Sequence, residues 1–477
     1  MNRFDTVIIG AGVVGGMVAR ELTRLGQRVA IVERTDDAAT GASRANSGII
    51  HAGYDAKTGS LKARLNVRGS VMMEKLCREM DVAYERCGSL VVGFDDADDK
   101  TLCDLLARGR ENGVKGLALL SGDEARAKEP NLSENVTSAL WAPTGAIVCP
   151  YELTVAAVGV AMKNGAALYC NFEVCALSRD ADGWQITAAD GRAVTAARVV
   201  NCAGTHADEI ARMAGDDRFT VHARRGEYLL LDKECAGFVH STVFMAPSKM
   251  GKGVLVSPTA HGNIIVGPTA VDTDDRDDTK TTAAGLDDVR RLAQKSVRGL
   301  PLRAGITCFA GLRAVGSTGD FIIDRPFSGF VNCAAIESPG LSASPAIAEY
   351  AAELLREDGA VLSPRPDFDG SYTSPVAFKR LSDDEKNRII EKDPRYGRVI
   401  CRCETVTEGE IVAALHTEPK PHDLDAVKRR TRCGMGRCQG GFCTPYVTGI
   451  IARELGIPET EVTKSGGDSR LLVGKTK

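Results

Sequence analysis

Two sets of residues in this chain have the types and spacing to do redox chemistry. The first is Gly10, Gly12 and Gly15, a G-x-G-x-x-G run directly after the apolar Val7-Ile8-Ile9. Gly10 permits a tight turn, Gly12 lets backbone approach a pyrophosphate, and Gly15 lets the next helix pack on the strand. Glu33 ends the following apolar run, where an acidic side chain suits a ribose 2′-hydroxyl and disfavours a 2′-phosphate. The second set is Cys401, Cys403, Cys438 and Cys443, spaced C-x-C and C-x4-C with 34 residues between the pairs. Four thiolates from two loops can hold a [2Fe–2S] cluster or a zinc ion, and the short first pair favours iron–sulfur over zinc. Gly434, Gly436, Gly440 and Gly441 would let backbone N–H groups turn toward sulfide. Lys428, Arg429, Arg430, Arg432 and Arg437 would offset a negative cluster. Cys433 is a fifth cysteine in this stretch, with no ligand role assigned.

These residues need elements to hold them. The spacing predicts a strand to Ile9, a helix over 13–25 whose N–H groups aim at phosphate, and a second strand over 27–32. Segment 42–54 is small, polar and glycine-bearing, and can lie along an extended cofactor. Helices are expected over 60–80, 96–112 and 151–164, and Ser121 with Glu124 is a capping box. Strands over 167–177 and 184–188 read as a meander ending in 198–204, a second close backbone approach. Short β-like runs between 224 and 268, extended by 303–309, predict an antiparallel sheet. Segment 338–345 opens a helix to 355, with free N–H groups at its start. Prolines 364, 366, 375 and 394 mark a linker lying on the first domain.

The totals set the class. A chain of 477 residues predicts two or three domains. With 60 basic and 63 acidic residues and a net charge of −3, no nucleic-acid or membrane-surface role is expected. No apolar run is long enough for a transmembrane segment. The first strand begins almost at residue 1, which leaves no room for a signal peptide and predicts a cytoplasmic protein. Ten of the fifteen cysteines are scattered before residue 334 and read as small buried apolar side chains.

The glycines with Glu33, Asn46-Ser47-Gly48-Ile49-Ile50-His51, Asn201-Cys202-Ala203-Gly204 and Gly311-Leu312-Arg313 together resemble the FAD-dependent D-amino-acid oxidase superfamily. Within it the chain is most similar to the branch of anaerobic glycerol-3-phosphate dehydrogenases and L-2-hydroxyglutarate oxidases. Residues 428–431 and 434–443 resemble the bacterioferritin-associated-ferredoxin-like (BFD-like) [2Fe–2S] domain fused to such enzymes. The resemblance implies FAD rather than NAD, and an iron–sulfur cluster on Cys401, Cys403, Cys438 and Cys443. It implies an α/β and α+β fold: a Rossmann-like FAD-binding domain (1–87, 149–222 and 316–360), an antiparallel-sheet substrate domain (88–148 and 223–315), a linker (361–396) and a small helical iron–sulfur domain (397–477).

By position, Gly10, Gly12, Gly15 and Glu33 would hold the ADP half of FAD, and Ser43, Asn46 and Ser47 would line it. Val174 would meet the adenine side. Ala203, Gly204, Gly340, Leu341 and Ser342 would approach the pyrophosphate and flavin. His51 and Arg313 then fall near the isoalloxazine. Arg313 would clamp a small anionic substrate, glycerol 3-phosphate first and L-2-hydroxyglutarate second. His51 would accept the hydroxyl proton, since histidine titrates near working pH, with His261 as an alternative base. Lys62, Arg64, Arg224, Arg225, Lys249 and Lys252 are candidates for a second cation. Electrons would leave through the cluster to an electron-accepting protein or subunit. Two other readings are an amine or imino-acid dehydrogenase and an electron-transfer flavoprotein without its own substrate.

Overall fold

The computed structural model describes residues 3–247 and 253–474. Its first layer is an eight-stranded sheet. Arg3–Ile9 runs parallel between Val29–Val32 and Ala193–Asn201, with Ile9 opposite Val32 on one side and Asn201 on the other. Val29–Val32 continues to Ala167–Tyr169, and Ala193–Asn201 to Phe330–Ala334, both parallel. Val7, Ile8 and all of Val29–Val32 are buried. Such unbroken apolar runs mark strands covered on both faces. One cover is the helix Val13–Arg24, packed with Pro150–Lys163 and Gly340–Glu357. The other includes Phe172, Trp184, Ile210 and Phe330.

The expected strand over 167–177 is two strands. Ala167–Tyr169 joins the parallel sheet, while Val174–Asp180 pairs antiparallel with Gly183–Ala188. Asn171 breaks the run in a left-handed conformation, φ 51°. Its N–H reaches Thr35 O, and that of Phe172 reaches Glu33 O. The apolar spacing hid the break because both pieces are β.

The second layer is a nine-stranded, largely antiparallel sheet. Its spine is Val221–Leu231 against Gly305–Gly316, in register from Val221 opposite Gly316 to Leu230 opposite Thr307, with a shift before Leu231. Ser89–Gly93 and Ser138–Ala142 extend its far side, and the helix Ala283–Ser296 packs against it. A small sheet of Ile49–Ile50, Tyr84–Glu85 and Ala146–Val148 lies where the two layers meet.

The third unit has a short hairpin, Val399–Cys401 with Val406–Thr407, and the helices Glu408–Leu415, Leu424–Thr431 and Thr444–Leu455 around Ile411, Val427, Val447 and Ile451. Thr407 and Glu410 form a capping box at the first helix. The proline-bearing segment before this unit lies on the first layer: Ser363 N–H reaches Leu25 O and Arg365 N–H reaches Arg24 O. It also holds the helix Asp383–Lys392, opened by a Ser382/Glu385 capping box. Among the described residues no helix is long and apolar enough to cross a membrane.

Candidate active site

A cavity of about 1180 Å³ runs from the first turn to the face of the second sheet. It is larger than the roughly 300–1,000 Å³ of most ligand pockets, which suits an extended dinucleotide plus a substrate. Gly10, Gly12, Glu33, Ser43, Asn46, Ser47, His51, Val174, Ala203, Gly204, Arg313, Gly340 and Leu341 all line it. Gly15 and Ser342 do not. A Cβ on Gly15 would sit 1.9 Å from Gly10 O, so this glycine lets the helix close on the turn. The Ser342 hydroxyl, fully buried, accepts the His51 N–H at 2.8 Å and ties the histidine's strand to the helix Gly340–Glu357.

The turn end fits a pyrophosphate. Gly10 has φ 106°, and a Cβ there would lie 2.5 Å from Cys202 O. The helix Val13–Arg24 has no cap from its own Gly12. Ser43 supplies one, accepting the Val13 N–H at 2.9 Å. The Glu33 carboxylate accepts from Ala11 N–H at 2.9 Å and from Thr35 N–H and hydroxyl at 3.0 and 2.9 Å. These bonds fix it at the cavity wall. Asn46 folds its own loop, donating to Ala42 O and accepting from Gly48 N–H.

The opposite end is built on cross-strand register. Arg313, Gly311 and Phe309 sit opposite Arg224, Gly226 and Tyr228. Alternation puts these six on one face. The two glycines open the middle of that face: a Cβ on Gly311 would lie 1.8 Å from Ala45 O, and one on Gly226 would lie 2.9 Å from Arg313 Nη2. Arg224 opposite Arg313 would be a repulsive pair, but Arg224 is neutralised by Asp272 at 2.6 Å. Arg313 has no carboxylate partner among the described residues. It reaches only the Thr269 carbonyl, at 3.5 Å, and the Tyr228 hydroxyl. Burial pushes the Tyr228 pKa up, against the Arg313 charge and hydrogen bonds from Arg313 and Ser47. The His51 ring lies 5.7 Å from the Phe244 ring, with Nε2 at 3.4 Å from the Ser338 hydroxyl.

Of the other cations considered, Lys62 lines the cavity paired with Glu337 at 2.7 Å, and Arg64 stacks over Tyr350 outside it. Arg225 is paired with Asp278. Lys249 and Lys252 lie outside the described residues. His261 is away from the cavity, bonded to Glu152 at 2.7 Å, and burial lowers its pKa against the pull of that carboxylate.

The five cysteines of the third unit form one group. The Cys403 and Cys438 sulfurs are 3.7 Å apart near the surface, and Cys401, Cys433 and Cys443 are buried together. Gly434 and Glu404 N–H groups point at the Cys401 sulfur, and Phe442 and Gly440 N–H groups at that of Cys438. Clustered thiols with backbone donors aimed at sulfur fit an iron–sulfur cluster.

Sequence patterns gave no sign of how this unit is attached. Asp37, in the loop after the strand Val29–Val32, is 3% exposed and accepts from Arg429 at 2.6 Å and Arg430 at 2.7 Å. Arg429 also lines the cavity. Arg432 reaches the Tyr151 hydroxyl at 2.6 Å, Glu404 at 3.1 Å and Asn263 at 3.3 Å, and Glu404 takes Lys233 at 2.5 Å. Arg437 reaches Asp232 at 3.0 Å and Glu234 beside it, so four of the five basic residues flanking the cysteines are used in docking.

Comparison with known proteins supports both cofactors. Residues 5–354 match the family of FAD dependent oxidoreductases, and 399–453 match the BFD-like [2Fe-2S] binding domain. A glycerol 3-phosphate dehydrogenase of Caloramator mitchellensis is 46% identical over 476 residues, 99% of each chain. A mitochondrial L-2-hydroxyglutarate dehydrogenase of Pongo abelii is 32% identical over 57% of this chain and 68% of its own. The structure of dithionite-reduced L-alpha-glycerophosphate oxidase from Mycoplasma pneumoniae with FAD bound superposes with a TM-score of 0.75 at 30% identity, covering 79% of this chain and all of that one. The chain therefore belongs to the FAD-dependent oxidoreductase family, as an enzyme that joins an FAD domain to a BFD-like [2Fe–2S] domain.

Proposed function

We propose that this oxidoreductase converts sn-glycerol 3-phosphate to dihydroxyacetone phosphate and passes the electrons to a separate electron-accepting protein. One observation carries the choice of substrate. At the sheet end of the cavity Arg224 and Lys62 already hold carboxylates, and Arg313 alone of the three has none. One unsatisfied guanidinium suits one anionic group, which glycerol 3-phosphate has and a hydroxydicarboxylate exceeds. Full-length similarity to a glycerol 3-phosphate dehydrogenase, iron–sulfur tail included, supports the same choice.

Arg313 holds the phosphate through paired charge-assisted bonds. Thr269 O and the Tyr228 hydroxyl keep its plane toward the cavity. His51 takes the proton of the substrate hydroxyl, its backbone anchored by Ser342 and its ring by Phe244. Bound FAD supplies hydride acceptance, and the cluster supplies one-electron transfer onward. Gly10, Gly12, Glu33, Ser43, Ala203 and Gly204 are the residues we assign to the dinucleotide. The cytoplasm is the proposed compartment, as none of the fifteen cysteines is paired in a disulfide.

An anaerobic titration of the holoenzyme tests the substrate. Glycerol 3-phosphate should bleach the flavin absorbance and then the cluster absorbance. Bleaching by L-2-hydroxyglutarate alone would replace the substrate. Bleaching by an amine or imino acid would replace the reaction class, and reduction only by a protein donor would leave an electron-transfer module.

A further inference from the structure

The third unit holds one more thiol than a cluster needs. A [2Fe–2S] cluster takes four thiolates, two on each iron. Two sulfurs on one tetrahedral metal, at bonds of about 2.3 Å, lie about 3.8 Å apart. Cys403 and Cys438 meet that separation at 3.7 Å, so this pair would fit one iron. For the other iron there are three sulfurs, those of Cys401, Cys433 and Cys443, all within 4.8 Å of one another. All three are 5% exposed or less.

Their settings differ. Cys401 shares its C-x-C link with Cys403, and its sulfur receives two backbone N–H groups. Cys433 and Cys443 arrive from separate helix ends. Cys433 follows the left-handed residue Arg432 that closes Leu424–Thr431, φ 65°. Cys443 precedes the first turn of Thr444–Leu455. Arg432 is pinned by Glu404, Tyr151 and Asn263, so Cys433 stays beside the group.

We propose that Cys433 and Cys443 are interchangeable ligands, either of which completes the iron that carries Cys401. The step is a ligand exchange with no change of oxidation state. The entering thiol gives up its proton as its sulfur–iron bond forms, and the leaving thiolate takes up a proton as its bond breaks. The proposal rests on the cluster reading, so the wild-type chain is the control for that reading.

The test uses full-length enzyme purified without air, as wild type, Cys433→Ala, Cys443→Ala and the double variant. Iron and acid-labile sulfide per chain are measured, with the electron paramagnetic resonance spectrum after dithionite reduction. FAD content and far-ultraviolet circular dichroism report folding. Each single variant should keep its iron, with a shifted spectrum in at least one, and the double variant should lose it. A folded single variant without iron, or a double variant that keeps it, overturns the proposal. Where an alanine variant fails to fold, the valine variants, which also offer no ligand atom, are read by the same criteria. A wild-type chain without iron would instead sink the cluster itself.

Discussion

At the scale of single residues, the site depends on a positive charge left without a carboxylate. Arg313→Ala should lower kcat/KM for glycerol 3-phosphate by the 2–5 kcal/mol typical of a truncated buried charge contact, about 30- to 5,000-fold. The flavin content should stay full, because the guanidinium touches Thr269 and Tyr228 rather than the nucleotide turn. Arg313→Lys should recover only part of the loss, since an ammonium cannot make the paired bonds. His51→Asn should lower kcat by about 100- to 10,000-fold, the usual share of a general base, with flavin content unchanged. Unchanged turnover would remove His51 from the chemistry. Arg313 was named through the family resemblance that Gly311-Leu312-Arg313 helps carry. Its isolation from carboxylates was not legible, because Asp272 and Glu337, which occupy its neighbours, are remote in the chain.

At the scale of elements, close backbone approach decides the cofactor groove. The loop bearing Ala45 presses against the strand Gly305–Gly316 at Gly311. Gly311→Ala should displace that loop, releasing FAD on gel filtration and lowering stability by about 1–3 kcal/mol, the usual range for overpacking. Gly397→Ala is the contrast, since Gly397 lies outside the cavity and a Cβ there would come no closer than 3.4 Å, to Ile390. It should keep its flavin. The first strand, turn and helix were fully readable, because an apolar run, three glycines and a helical period all act locally. The split at Asn171 was not, because the break is held by Thr35 and Glu33 from the loop after the strand Val29–Val32.

At the scale of the whole molecule, buried charge joins the iron–sulfur unit to the flavin domain. The Asp37, Arg429 and Arg430 side chains are 5% exposed or less. Asp37→Ala would leave two guanidinium groups uncompensated, and should destabilise the protein by about 3–5 kcal/mol in urea unfolding. The same junction carries a pH dependence. Burial, and then the facing Asp36, pushes the Asp423 carboxyl up to about 8. An unfolded aspartate titrates near 3.9. The folded state therefore keeps a proton that the unfolded chain releases, and stability falls as pH rises between those values and through about 8. Asp423→Asn should flatten that fall in thermal melts taken below and above this pH. Asparagine keeps the cap that Asp423 gives the Ala426 N–H.

The sequence alone marked a dinucleotide-binding turn and a four-thiolate metal site, because both signals are local: glycines shaping one turn, and cysteines spaced for one metal group; the resemblance to a known superfamily then implied FAD and a [2Fe–2S] cluster. The sequence also determined the antiparallel sheet, through short β-like runs punctuated by glycine and proline. The tertiary structure decided what lies far apart in the chain. It set Arg313 apart from its neighbours' carboxylates, placed His261 away from the cavity, turned the basic run before the cluster into a docking surface, and brought Cys433 against Cys401. Each joins residues from separate strands, helices or loops, where pairing depends on register and packing rather than on spacing.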